Sequence, residues 1–216
     1  MNTLAEENYL KAIYKLAVLS ANVSTNQIAA SLETKASSVT DMLRKLSDKQ
    51  LINYTRYQGV SLTGAGEKVA INIIRKHRLW EYFLVEKLNF KWDEVHAMAE
   101  EMEHISSNEL IDRLDEFMGF PKRDPHGDPI PDCNGNFKTN DLKPISALAV
   151  SAGGIISGVR DHSVAFLQYL DKQGLIIGKK IMVKEIISYD NTVVLQMDSK
   201  VLQISREVAN NLLIAI

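Results

Sequence analysis

The fold of the N-terminal part of the chain follows from residues 24–50, which read STNQIAASLETKASSVTDMLRKLSDKQ. Ser24 and Gln27 have the spacing of a capping box, which predicts that a short helix over 25–32 begins there. A tight connection then leads into a longer predicted helix over 37–50. The apolar stripe of this helix is formed by Val39, Leu43 and Leu46.

The flanking sequence completes a recognisable arrangement. Apolar residues at helical spacing predict an earlier helix over 4–19. The β-rich pieces 51–54 and 60–62 predict a small hairpin after the third helix. Three helices followed by a hairpin are typical of a winged helix-turn-helix, in which the third helix enters the major groove of DNA.

Small hydroxyl side chains at the start of the third helix allow close approach to phosphates and base edges, and nearby basic residues supply positive charge. The predicted DNA-contacting residues are Lys35, Ser37, Ser38, Thr40, Asp41, Arg44, Arg56 and Tyr57. Two alternatives stay open at this point. Ser37 or Ser38 could serve only to cap the helix, and the winged helix could bind protein.

Charge is distributed unevenly along the 216 residues, although the net charge is only −2. Residues 1–80 carry 11 Lys and Arg against 6 Asp and Glu, whereas residues 81–125 carry 5 against 12. A basic segment suits a polyanion and an acidic one suits cations. Cys133 is the only cysteine, which excludes an internal disulfide and a thiolate-rich zinc site. Without a long apolar run or signal segment, we expect a cytoplasmic protein with no membrane partner.

The rest of the chain predicts a mainly α protein with small β parts. Helices are expected over 64–88, 92–105 and 107–118, and residues 119–145 are rich in Pro, Gly and Asp. A small β-barrel-like domain follows, with β-rich segments at 155–159, 180–189, 192–197 and 200–204 and helices at 163–173 and 206–212. The expected domains are 1–63, 64–140 and 141–216.

Imidazole and carboxylate groups are concentrated in the middle of the chain. His96, Glu100, Glu103 and His104 have i, i+4, i+7 and i+8 spacing, which places them on one face of a helix. His77 and Glu81 repeat the i, i+4 spacing on the preceding helix. Such donors without thiolate suit Mn²⁺, Fe²⁺, Zn²⁺ or Co²⁺. The alternative is that these are ordinary solvated charges on acidic helices.

Catalysis is not expected. The zinc-protease pattern His-Glu-x-x-His is absent, the order here being Glu-x-x-Glu-His, and no nucleophile or organic substrate site is apparent. The imidazole and carboxylate donors by themselves would also be compatible with a carboxylate-bridged di-metal hydrolase. A winged-helix regulator sensing an organic ligand or redox state is a further alternative, and it predicts metal-independent DNA binding.

Three motifs together resemble the diphtheria toxin repressor family of metal-dependent repressors. They are Arg75-Lys76-His77-Arg78-Leu79-x-Glu81, the stretch from Glu94-Val95-His96 to Glu103-His104, and Gly127-Asp128-Pro129-Ile130-Pro131. The similarity runs from about residue 2 to 131 and continues more weakly into a part resembling the family's SH3-like, FeoA-type domain. It implies a winged helix-turn-helix domain, a helical dimerisation and metal-binding domain, and an SH3-like β-barrel.

The resemblance also implies a homodimer that binds a palindromic double-stranded DNA operator when Mn²⁺ or Fe²⁺ is present, with Zn²⁺, Co²⁺ or Ni²⁺ able to substitute in vitro. The implied primary metal site comprises Asn8, Glu100, Glu103 and His104. The implied ancillary site comprises His77, Glu81, His96 and Asp161, with His162 as the alternative to Asp161.

The chain departs from the family pattern at three positions. Residue 8 is Asn where relatives have Met or Asp, and Lys11 stands where some manganese-selective members have Glu. Glu100 stands where iron sensors have Cys. Because carboxylate is harder than thiolate, manganese is favoured, with an Fe²⁺-dependent repressor of iron-uptake genes as the alternative.

Overall fold

The structure is a computed structural model and describes residues 2–19, 22–55, 59–138 and 141–216. Two predicted DNA contacts, Arg56 and Tyr57, lie outside these ranges. The α-helices of the described ranges are α1 (Leu4–Leu19), α2 (Thr25–Ser31), α3 (Ala36–Asp48), α4 (Gly64–Leu88), α5 (Val95–Met102), α6 (Asn108–Phe117), α7 (Val164–Gln173) and α8 (Arg206–Asn211). The strands are β1 (Ile52–Thr55), β2 (Gly59–Leu62), β3 (Lys143–Pro144), β4 (Gly153–Val159), β5 (Lys180–Ile186), β6 (Val193–Met197), β7 (Lys200–Ile204) and β8 (Leu212–Ala215).

The capping box that opens α2 is confirmed. The Ser24 hydroxyl accepts from the Gln27 amide at 3.2 Å, and the Gln27 side chain accepts from the Ser24 amide at 2.8 Å. Helix α3 begins one residue before the predicted start, and its N-cap residue is Lys35, which makes no side-chain capping bond. The interpretation of Ser37 or Ser38 as a simple cap is therefore wrong.

A single apolar core orients α1, α2, α3 and the hairpin. Strands β1 and β2 pair antiparallel, with Ile52 opposite Leu62. The predicted stripe of α3 is buried in this core, together with residues of α1 and α2. Side chains with no exposed surface in it are Leu10, Ile13, Val23, Ile28, Val39, Leu43 and Leu46.

Helix α5 is shorter than the predicted helix over 92–105. It begins only at Val95, because Glu94 closes a turn with Lys91 through both its amide and its carboxylate. It ends at Met102, so Glu103 and His104 lie in the turn that follows. The prediction that His96, Glu100, Glu103 and His104 share one helical face is therefore wrong for the last two.

The chain divides into two compact units. The first comprises Met1–His77, Glu100–Arg113 and Pro131–Asn136, and the second comprises Arg78–Ala99, Leu114–Ile130 and Phe137–Ile216. The second unit contains an antiparallel sheet in the order β3-β8-β4-β5-β6-β7. No helix in the described ranges is long and apolar enough to cross a membrane.

The end of the chain differs from the prediction of a helix over 206–212. Helix α8 stops at Asn211, and Leu212 begins strand β8, which pairs with both β4 and β3. Leu212 and Ile214 are fully buried in the core of the sheet while Leu213 and Ala215 are partly exposed, and this alternation of burial is the period of a strand. The expected fold class, mainly helical with a winged helix-turn-helix and a C-terminal β domain, is confirmed.

Candidate metal centre and nucleic-acid interface

Helix α1 is tied to α3 through a buried carboxylate. Glu6 has no exposed surface, and its carboxylate lies 2.8 Å from Lys49 Nζ and 3.2 Å from Lys45 Nζ. Burial alone raises the pKa of Glu6, but hydrogen bonds from Lys49 and the Thr3 backbone, with the charge of Lys45, outweigh it and lower the pKa to about 2. Glu6 is therefore ionised at neutral pH and holds α1 against α3.

Replacing Glu6 with Gln should reduce the free energy of unfolding at pH 7 by about 1–3 kcal/mol, because charge-assisted hydrogen bonds are lost. The native pKa is lower than the ordinary value of 4.5. The stabilisation is therefore complete above pH 4.5 and disappears as the pH falls towards 2. Urea unfolding of both proteins between pH 7 and pH 2.5 measures this.

The control for that series is Glu116→Gln, which makes the same chemical change at an exposed position on α6. This variant should unfold like the wild type at every pH. A Glu6→Gln variant whose deficit is independent of pH below 4.5 would contradict the role given to the Glu6 carboxylate.

Glu7, the residue after Glu6 on α1, orients His104. Glu7 Oε2 lies 2.7 Å from His104 Nδ1, and the other ring nitrogen, Nε2, lies 3.6 Å from Glu103 Oε1. When Nδ1–H donates to Glu7, Nε2 is left with its lone pair directed towards Glu103. A carboxylate that fixes the tautomer of an imidazole in this way is common behind metal-binding histidines.

Glu103 is the centre of a buried polar cluster in the first unit. It has no exposed surface, and its two oxygens contact Lys11 Nζ at 2.6 Å and His77 Nδ1 at 2.6 Å. The same Lys11 Nζ lies 2.6 Å from Glu100 Oε1. Donor atoms of His77, Glu100 and Glu103 come within 4.8 Å of one another, which is close enough to surround one ion.

Asn8 adds an observation that fits a metal ion. Its side-chain oxygen Oδ1 is buried, and no hydrogen-bond donor of the described residues reaches it. An unsatisfied buried oxygen is costly, and a bound cation is one partner that would satisfy it. Asn8 lies on α1 between Glu7 and Lys11, which contact His104 and Glu103 respectively. The donors of this cluster are oxygen and nitrogen atoms, the types that divalent Mn²⁺ and Fe²⁺ accept.

The structure thus brings together Glu100, Glu103 and His104, three of the four residues that the resemblance implies for a primary site. His77, which the resemblance assigns to the ancillary set, lies in the first unit and contacts Glu103. Sequence reasoning missed the contributions of Glu7 and of the ion pairs made by Lys11. The sequence around Glu7 and Lys11 carries no signal for these contacts, because the partners are 89 to 97 residues away in the chain.

A second buried cluster lies wholly within the second unit. Glu81 is 2% exposed, and its carboxylate lies 3.2 Å from His96 Nδ1 and 3.5 Å from His126 Nδ1. Donor atoms of Glu81, Asp124 and His126 come within 4.8 Å of one another. His126 also donates from Nε2 to the Trp92 carbonyl at 2.8 Å, which fixes its ring.

Burial and neighbouring charges shift the pKa values of His126 and Asp124 in this second cluster. Burial lowers the pKa of His126, but the hydrogen bond and charge of Glu81 and the charge of Asp124 outweigh it and raise the pKa to about 9. Burial, with the charges of Asp128 and Glu81, raises the pKa of Asp124 to about 7. An imidazolium between carboxylates balances negative charge that a cation could balance equally well.

For the implied ancillary set, the structure places Glu81 and His96 in contact. Asp161 lies at the start of the segment before α7, where its carboxylate accepts from the Ser163 amide at 2.8 Å. The His162 ring stacks on His126 with centroids 4.8 Å apart. Sequence reasoning missed Asp124 and His126, although their Asp-x-His spacing within the Pro- and Gly-rich loop was a visible signal.

The predicted DNA-contacting residues that the structure describes lie on the outer surface of α3, except Lys35, which directly precedes the helix. Lys35, Ser37, Ser38, Asp41 and Arg44 are exposed. Thr40 is half-buried, and its hydroxyl donates to the carbonyl of Ala36 at 3.0 Å. Arg44 lies 3.4 Å from Asp41, but both side chains are largely exposed, so this pair leaves the guanidinium accessible.

Three family models match the chain in succession. Residues 1–60 match the N-terminal DNA binding domain of the iron dependent repressor, and residues 63–132 match its metal binding and dimerisation domain. Residues 143–216 match the FeoA domain. The matches follow the order of domains that the sequence predicts.

Curated relatives include metal-dependent regulators. The HTH-type transcriptional regulator MntR of Oceanobacillus iheyensis is 32% identical over 124 residues, which cover 57% of this chain and 84% of the relative. The chain belongs to the diphtheria toxin repressor family. Another member of the family, the iron-dependent repressor IdeR of Mycobacterium leprae, is 34% identical over 133 residues, which cover 61% of this chain. The matched region spans 58% of the length of that relative.

Solved structures of the diphtheria toxin repressor family extend the similarity to almost the whole chain. A manganese-dependent transcriptional repressor in complex with manganese has a TM-score of 0.86 and 30% identity, and the match covers 97% of this chain and 98% of that one. IdeR of T. acidophilum has a TM-score of 0.76 and 29% identity, with both chains covered completely. The family consists of DNA-binding transcriptional repressors rather than enzymes.

Proposed function

We propose that this protein is a dimeric, metal-dependent transcriptional repressor that binds palindromic operators of metal-homeostasis genes, with Mn²⁺ as the favoured ion. The observation that carries the proposal is the buried, unsatisfied Oδ1 of Asn8 on α1, the helix whose Lys11 contacts Glu100 and Glu103. It supports a cation as the missing partner in the first unit.

The proposed primary ligands are Asn8, Glu100, Glu103 and His104, and His77 orients the Glu103 carboxylate through their contact. Their oxygen and nitrogen donors suit Mn²⁺ and Fe²⁺, with Zn²⁺, Co²⁺ or Ni²⁺ as possible substitutes in vitro. Cys133, the single cysteine, is exposed and contributes no thiolate to these donors. The hard donor set favours Mn²⁺, whereas similarity to the mycobacterial IdeR proteins supports the alternative, an Fe²⁺-dependent repressor of iron-uptake genes.

We also propose an ancillary site formed by His77, Glu81, His96 and Asp161. The contact between Glu81 and His96 supports it. The burial of Asp124 and His126 against the same Glu81 carboxylate supports their participation as well.

On the DNA side, the exposed surface of α3 supports major-groove binding. Lys35 and Arg44 supply charge for phosphates, and the hydroxyls of Ser37 and Ser38 permit close approach. In a dimer, two such helices must lie about 34 Å apart to reach successive turns of one groove. This requirement makes operator affinity sensitive to anything that fixes the position of α3.

Helix α1 is the element that connects metal binding to α3. A bound cation would link the side-chain oxygen of Asn8 on α1 to the carboxylates of Glu100 and Glu103. On the same helix, Glu7 holds the imidazole of His104, and Glu6 holds Lys45 of α3 and Lys49, the residue that follows α3. Order imposed on α1 is thereby passed to the DNA-reading helix, and the competent orientation becomes more populated.

The test is DNA binding by the full-length protein titrated with Mn²⁺ and Fe²⁺ under anaerobic conditions, with Zn²⁺ as a comparison. The probe is a duplex selected from a random-sequence pool in the presence of Mn²⁺. We expect chelation to weaken binding by about 100-fold or more, as a population shift of a few kcal/mol requires. Equilibrium dialysis should find two Mn²⁺ ions per chain. Equal affinity in chelator and in Mn²⁺ would refute the proposal.

A further inference from the structure

Lys11 lies within the cluster of proposed primary ligands. Its Nζ is 2.6 Å from Glu100 Oε1 and 2.6 Å from Glu103 Oε1, and only 8% of its side chain is exposed. Its ammonium group therefore contacts two of the oxygens that are proposed to bind the metal ion.

The fold directs this side chain inwards. Leu10 and Ile13, which flank Lys11 on α1, have no exposed surface and fix the rotation of the helix. A buried ammonium is costly unless it is paired, and two carboxylates this close, one fully buried and one half-buried, repel each other unless a cation lies between them. Lys11, Glu100 and Glu103 satisfy both requirements at once.

We propose that Lys11 is a built-in cation that neutralises Glu100 and Glu103 in the metal-free protein and that a divalent ion must displace to bind. Lys11 thereby sets the metal concentration at which the protein responds. This inference rests on the proposed function and adds an affinity-determining residue that does not itself bind the metal.

The direction of the effect follows from competition. The ammonium and a metal ion require the same carboxylate oxygens, so each bound state excludes the other. An opposite charge at this distance changes the cation affinity of a carboxylate by about 10-fold to 1000-fold, judging by its effect on proton affinity. Removing the ammonium should therefore tighten metal binding by about 10-fold or more.

The deciding variant is Lys11→Met, which keeps a long unbranched side chain and removes the charge. Free Mn²⁺ measured by electron paramagnetic resonance should give a dissociation constant at least about 10-fold lower than in the wild type. Lys11→Arg, which keeps the charge, should stay within a few-fold of the wild type. Lys15→Met removes a lysine from an exposed position of the same helix and should have no effect.

A second measurement follows Lys11 directly. Reductive methylation with mass spectrometry should label Lys11 slowly in chelator and faster in saturating Mn²⁺, because displacement exposes the amine. In chelator, the thermal midpoint of Lys11→Met should also fall, because Glu100 and Glu103 are left to repel each other.

The outcomes separate the two proposals. If Lys11→Met binds Mn²⁺ as the wild type does or more weakly, or if Mn²⁺ leaves Lys11 labelling unchanged, Lys11 does not compete with metal and this inference fails alone. If neither the wild type nor Lys11→Met binds Mn²⁺, the proposed function fails as well.

Discussion

Glu103→Gln is expected to abolish metal-dependent DNA binding, with a loss in affinity of about 100-fold or more in saturating Mn²⁺. Even partners behind metal ligands contribute about 10-fold to 100-fold to metal affinity, and Glu103 is proposed as a ligand itself. Its carboxylate is fully buried and contacts both Lys11 and His77, so Gln removes the negative charge at the centre of the cluster and leaves Glu100 as the carboxylate paired with Lys11. Fluorescence anisotropy with the selected duplex, in Mn²⁺ and in chelator, measures the effect.

The matched control is Glu101→Gln, the same chemical change two residues earlier, where the side chain is exposed on α5. It should bind DNA like the wild type. Because Glu103→Gln leaves Lys11 without one of its partners and can impair folding, circular dichroism must show a native spectrum. His104→Ala provides an independent variant of the same site. Retention of metal-dependent binding by both variants would disprove the primary site.

Gly127→Ala is expected to lower the free energy of unfolding by about 2–5 kcal/mol. Gly127 has a φ of +89°, where an L side chain costs about 1–2 kcal/mol. A Cβ there would lie 2.1 Å from the Ser157 carbonyl oxygen, so strand β4 or the loop must shift at a further cost of about 1–3 kcal/mol. Since Asp124 and His126 lie on this loop, the change should also disperse the cluster around Glu81. Urea unfolding monitored by tryptophan fluorescence tests the first expectation.

Gly119→Ala separates the cost of the positive φ from the cost of close packing against a neighbouring strand. Gly119 has a φ of +76°, but no heavy atom of the described residues lies within 4 Å of the place a Cβ would take. Its cost should be limited to the backbone contribution of about 1–2 kcal/mol. Equal destabilisation by the two substitutions would show that close packing against Ser157 does not matter.

The sequence by itself determined the local structure wherever a short-range signal was strong. The capping box of Ser24 and Gln27 located α2, and the stripe of Val39, Leu43 and Leu46 identified the buried face of α3. Capping and periodicity depend on residues a few positions apart, so they can be recognised without knowing the rest of the fold. The oxygen and nitrogen donors at residues 100, 103 and 104 can likewise be identified from the residue types alone.

Tertiary structure decided the limits of elements and the partners of charged groups. Leu212 ends a helix and begins a strand because β4 offers it a pairing partner in the sheet, and this partner lies far from it in the sequence, beyond the reach of local propensity. Helical spacing grouped His96 with His104, whereas α5 ends at Met102 and the two histidines contact different carboxylates.

Lys11 illustrates the same limit at the candidate site. Its contacts are 89 and 92 residues away in the chain, at Glu100 and Glu103. From the sequence it reads as a departure from the family pattern, because nothing near it in the chain indicates a partner. Only the packing of α1 on its core brings this ammonium into the carboxylate cluster. A buried charge is stable only beside an opposite charge, and here the fold places Glu100 and Glu103 next to Lys11.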